Sequence, residues 1–175
     1  MDTNLESSIR NKIGFTEDDL NANRDGKLSD AQRDKLKAKR QGVWVLAVLG
    51  LAAGIGVLLK MVFDNQFKPT EKLAIVTLVC LALAVGFLYI WLKWSQYTSD
   101  LDRSIAFASE GRMQLVTYHN KGNNSYRVRV NHEGFVLDRR LFDLLNEVSK
   151  EYEFCAVYYT PQSHVLLSFE PLNRN

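Results

Sequence analysis

The sequence predicts an α-helical membrane hairpin of two transmembrane helices, joined to a small cytoplasmic α+β domain. Three observations carry this. Two long apolar runs lie close together, Val43–Phe63 (VWVLAVLGLAAGIGVLLKMVF) and Leu73–Leu92 (LAIVTLVCLALAVGFLYIWL). A polar, capped stretch precedes them, and alternating strand-like runs follow from Arg112 onward.

Each apolar run meets the ~20 residues that cross ~30 Å of hydrocarbon at 1.5 Å per residue. Roughly a dozen Leu, Ile, Val or Phe in each favour insertion by about 4–7 kcal/mol before other contributions. The one charge, Lys60, lies a turn from the end of its run, where a lysine snorkels to the interface. Core helices of a soluble protein would show a polar face, and these runs show none. Trp44, Tyr89, Trp91 and Trp94 fall near the run ends, as interfacial anchors do. The expected organisation is a helical segment over 1–41, the hairpin over 42–94, a helical stalk over 95–111 and the α+β domain over 112–175. The first apolar run begins behind a charged stretch, so it is expected to stay as an anchor.

Leu5, Ile9 and Ile13 recur at four-residue spacing, which predicts a short amphipathic helix suited to a membrane surface. Thr16 with Asp19, and Ser29 with Gln32, are spaced as two capping boxes. Gly26 between them suits a positive-φ helix end. The stretch therefore predicts a short helix, a tight turn and a longer helix entering the membrane. Asn21, Asn23, Asp25 and Gly26 also follow the opening of an EF-hand calcium loop. Position twelve is Gln32 where that chemistry needs a bidentate Glu, and Asp25 is the one carboxylate among the first ligand positions. A calcium-responsive protein using Asn21, Asn23 and Asp25 is therefore the alternative reading, and the capped helical turn is the primary one. No resident metal or other cofactor is expected.

Lys35, Lys37, Lys39 and Arg40 directly precede the first apolar run. They predict contact with anionic headgroups and place both termini in the cytoplasm by the positive-inside bias. The expected location is the inner (plasma) membrane, as a two-pass protein. The net charge of +2 makes no case for nucleic acid. Gly50, Gly54 and Gly56 on the first run, with Ala82 and Gly86 on the second, are small residues that let helix backbones approach in lipid. They serve the chain's own helix pair or a second copy. No ionisable group lies at mid-membrane, which argues against an ion pathway.

Tyr97, Leu101, Ile105 and Ala108 extend a helical stripe as the stalk, with Gly111 as its end. Met113–Tyr118 reads as a strand, and Lys121–Asn124 as a turn. Tyr126–Val130 alternates with Tyr126, Val128 and Val130 inward and Arg127 and Arg129 outward. Phe135–Leu137 is strand-like, Arg139–Tyr152 is helical with Leu141, Leu144, Leu145 and Val148 on one face, and Phe154–Tyr159 and Val165–Phe169 are strands. The order is β-β-β-α-β-β. About sixty residues is near the lower limit for independent stability, so support from the stalk or bilayer is expected.

No nucleophile or phosphate-loop motif is present, so no catalytic residue is assigned and an enzyme is not expected. His119, His132 and His164 lack partners at metal-ligand spacing. Cys155 sits mid-strand as a structural thiol. Two stretches, one toward each end of the chain, carry a looser pattern. Asp19 to Ser29 reads D-L-x-x-N-R-x-G-x-L-S, and Tyr158 to Glu170 reads Y-Y-x-P-x-S-x-x-L-L-S-x-E. Around a two-helix hairpin, they resemble a group of uncharacterised bacterial membrane proteins. The resemblance implies no activity, and it implies that the calcium-loop likeness belongs to the turn. The expected function is anchoring and interaction. The expected partners are the bilayer, a second copy or another protein.

Overall fold

A computed structural model describes residues 3–63, 68–120 and 123–172. Asp64 of the inter-helix loop, and Lys121 and Gly122 of the first strand turn, lie outside them. The chain forms two units, one from Met1–Asp34 with Asp102–Asn175 and the other from Lys35–Leu101. The N-terminal segment is therefore not a separate element. It belongs to the same unit as the sheet.

In that unit the helices α1 (Thr3–Ile13) and α2 (Glu17–Arg24) precede five antiparallel strands. These are β1 (Phe107–Asn120), β2 (Asn123–Val130), β3 (Glu133–Leu137), β4 (Phe154–Tyr159) and β5 (Leu166–Leu172), in spatial order β3-β2-β1-β4-β5. Helix α5 (Arg139–Glu151) connects β3 to β4. The observed order after the hairpin is the expected β-β-β-α-β-β.

β1 is long because it serves two partners. Phe107–Arg112 pair with β4, and Met113–Asn120 pair with β2. Gly111 lies inside this strand rather than ending a helix. A Cβ there would collide with the side chain of Asn131, whose Nδ2 donates to the Glu110 carbonyl. The missing side chain lets the β2–β3 turn lie against β1.

The core lies on one face of the sheet. Val128, Val130, Phe135, Leu137, Cys155, Val157 and Phe169 meet Leu141, Leu145 and Val148 of α5. The strand residues come from alternate positions, as period-two geometry demands. Ile9 of α1 is 2 % exposed and belongs to this cluster. α1 is thus the amphipathic helix that the spacing predicts, but its apolar face is spent on the sheet rather than on a membrane surface.

Asp138 caps α5, accepting from the Leu141 N–H at 2.9 Å. Its carboxylate also pairs with Lys12 of α1 at 2.9 Å. The Leu141 N–H, and then Lys12, hold the Asp138 carboxyl below the usual range. A depressed carboxylate stabilises the fold above the unfolded value, ~4, and that stabilisation fades as pH falls through the native value. Asp138→Asn keeps a capping side chain. It should flatten the acid limb of a stability–pH curve followed by hydrogen exchange of α5, with little change at pH 7.

The second unit holds most of α3 (Asp30–Phe63) and α4 (Pro69–Arg103). Both are long and apolar enough to cross a membrane, and their most apolar windows are unburied. α4 stops at Arg103, short of the expected stalk end. Ser104 has a φ of 52°, off the helical path, and its carbonyl accepts from the Leu28 N–H at 3.1 Å. Ile105 bridges Lys27, and the Ala106 N–H donates to the Gly26 carbonyl at 3.0 Å. Backbone pairing with a distant segment overrides the helical spacing of Ile105 and Ala108.

Candidate functional site

The two motifs meet. The opposite sheet face over β4 and β5 carries Tyr158 and Ser168, which are register partners, and Glu170, two residues beyond Ser168. Asn23 of α2 is buried there, its Nδ2 donating to Ser168 Oγ at 2.7 Å. Arg24 reaches Glu170 with two nitrogens, at 2.5 and 3.2 Å. Tyr158 donates its hydroxyl to the same carboxylate at 3.3 Å. Burial, then the Glu170 charge, pushes the Tyr158 phenol up. The hydrogen bond to Glu170 likewise raises Arg24.

Local sequence sets this geometry. Thr16 and Asp19 exchange both capping-box bonds, which fixes the start of α2. Ser29 and Gln32 do the same for α3, at 3.1 and 3.3 Å. Asp19 is buried and also accepts from the Ser29 hydroxyl, so one carboxylate joins both caps. Gly26 takes a φ of 73° between them. Sequence reasoning found the caps and the glycine. It missed Ser168, Glu170 and Tyr158 as their partners, although both motifs contained the polar residues concerned.

The calcium-loop residues are not brought together. Asn21 and Asn23 stand within helix α2, where residues two apart point to different sides. Asn21 Oδ1 accepts from the Arg24 guanidinium at 2.9 Å, while Asn23 turns to Ser168. Asp25 is exposed at the helix end. A fixed guanidinium beside Asn21 opposes a cation there. Among the described residues, no three His, Cys, Asp or Glu side chains cluster to hold a metal.

His119 bonds Asn124 at 2.8 Å, and His164 stacks on Tyr159 with its Nδ1 3.6 Å from Glu133. Cys155 is fully buried, and burial pushes its thiol up to about 12. It stays protonated and inert at neutral pH.

On the apolar pair, Gly54 is a close-contact position within one chain. A Cβ there would lie 2.7 Å from a Leu83 methyl. Gly50, Gly56 and Gly86 have open space at that position. Gly50, Gly54, Ala82 and Gly86 instead line a groove of about 450 Å³ between the helices, and Gly56 does not. At one end of it Trp44 meets Trp94 edge-on at 5.5 Å, and the Arg40 guanidinium lies 4.9 Å over the Trp94 ring. Lys35, Lys37 and Lys39 are exposed nearby in sequence.

The sheet face over β1–β3 is the remaining surface of interest. Register puts Tyr118, Arg127, Arg129 and Val136 on one side, and all four are exposed. Arg127 lies 5.2 Å over the Tyr118 ring. Comparison of the chain with known protein families, with curated proteins and with solved structures finds no match.

Proposed function

We propose that this chain is a two-pass membrane anchor that presents a clamped α+β head as a non-catalytic interaction module. The hairpin crosses the inner membrane, and both termini are cytoplasmic. One observation carries the reading. The head is assembled from residues before the first apolar helix and after the second. Asn23 with Ser168, and Gly26 with Ala106, tie those two segments together. Such a head forms only if both segments emerge on the same side, which an even number of crossings gives. Lys35, Lys37, Lys39 and Arg40 favour the cytoplasmic side. The exposed face with Tyr118, Arg127, Arg129 and Val136 is the surface offered to a protein partner, as an arginine–aromatic surface with an apolar residue beside it suits. The Gly54–Leu83 contact favours the chain's own helix pair over assembly as the first role of the small residues.

Alkaline extraction of membranes containing the full chain tests the anchor. The chain should stay with the bilayer at pH 11, as an integral protein does. Release into the supernatant would remove the membrane reading.

A further inference from the structure

We propose that the groove of the apolar hairpin holds one acyl chain of an anionic phospholipid, with its phosphate on Arg40. The inference rests on the hairpin lying in a bilayer. The groove measures about 450 Å³. That falls within the ~300–1,000 Å³ of small-ligand pockets. Its lining, from Trp44 to Gly54 on α3 and from Val79 to Ile90 on α4, contains no charged residue. Ten residues of helix rise about 15 Å. That is about half of the ~30 Å hydrocarbon core, the depth of a single leaflet. The groove thus runs from Trp44 at the aromatic end of the pair to about mid-height, where Gly54, Leu83 and Val79 line it. A lipid tail has that reach, whereas a second transmembrane helix would run the full thickness.

The mouth supplies the headgroup chemistry. Arg40 is held over Trp94, and its Nε is buried with no hydrogen-bond partner. No ion pair engages Arg40 among the described residues. A guanidinium so placed suits a phosphate, which takes two of its N–H groups at once. Lys37 and Lys39 add positive charge around it. The same charges disfavour a second copy as occupant. Copies inserted in one orientation would bring Lys39 and Arg40 toward their own equivalents, whereas an anionic headgroup pairs with the Arg40 guanidinium.

The test uses the full chain in phosphatidylcholine vesicles, with its three tryptophans as reporters. Brominated-acyl phosphatidylglycerol or brominated-acyl phosphatidylcholine is added as quencher. The expected result is a preference of about fivefold or more for the anionic lipid. Arg40→Gln should bring the ratio near one. Gly50→Leu, at a groove-lining position where an added Cβ meets nothing within 4 Å, should also reduce it, and Gly56→Leu should not. Equal quenching by the two lipids overturns the proposal. So does a preference lost in Arg40→Gln but kept in Gly50→Leu, which would mark headgroup attraction without the groove. Disulfide-linked dimers of Gly50→Cys would assign the groove to a second copy and overturn it as well. No quenching by either lipid would overturn the membrane reading itself, and this proposal with it.

Discussion

Ile9→Ala should loosen the head by about 2–4 kcal/mol, the lower part of the range for an Ile truncated in a packed core. The native thiol of Cys155 offers a direct readout, because it is fully buried in the same cluster as Ile9. In a Cys80→Ser background, labelling of Cys155 in detergent reports opening of the head. Its rate should rise roughly thirty- to several-hundred-fold in the Ile9→Ala variant. Were α1 instead a membrane-surface helix, removing its Ile9 side chain would leave Cys155 as protected as before. The measurement therefore separates the two uses of one amphipathic helix. It also asks whether a sheet of this size needs the N-terminal segment to complete its core.

The Asn23–Ser168 bond should show strong coupling. Both side chains are buried, so removing either partner strands the other without water. Asn23→Ala and Ser168→Ala should each cost about 1–3 kcal/mol. The double variant should cost much less than their sum, since the desolvated orphan is then gone. Arg24→Gln, by contrast, removes a pair whose arginine side chain is 44 % exposed. It should cost well under 1 kcal/mol. Hydrogen exchange of β5 amides in the full chain measures all four. Additive effects at Asn23 and Ser168 would mean that α2 does not rest on the sheet through this bond.

Local signals made much of the fold legible. The alternation Tyr126–Val130 marked β2, and Leu141, Leu145 and Val148 marked α5, because each pattern reports its own buried face. Gly26 and the two capping boxes were legible because caps are chemistry within four residues. The start of β1 was not. Its partner strand, β4, lies some fifty residues further on in the chain. Ile105 and Ala108 happen to continue the spacing of α4. The clamp was hidden for a related reason. Asn23 and Ser168 are separated by 145 positions, and a polar pair leaves no hydrophobic period. The motifs held the right residues but not the fact that they touch. On the hairpin, Gly50 and Gly54 look alike in sequence. Only side-chain packing separates Gly54, under Leu83, from Gly50, which borders open space.

The central claim is that one head is built from both flanks of a membrane hairpin. Side-specific labelling of single cysteines in sealed vesicles tests it most directly. Ser7→Cys precedes the hairpin, His132→Cys follows it, and Lys68→Cys lies between the apolar helices; all three positions are exposed. With Cys80 and Cys155 replaced by Ser, an impermeant reagent should reach positions 7 and 132 from the same face and position 68 only from the other. Labelling of positions 7 and 132 from opposite faces would contradict the account.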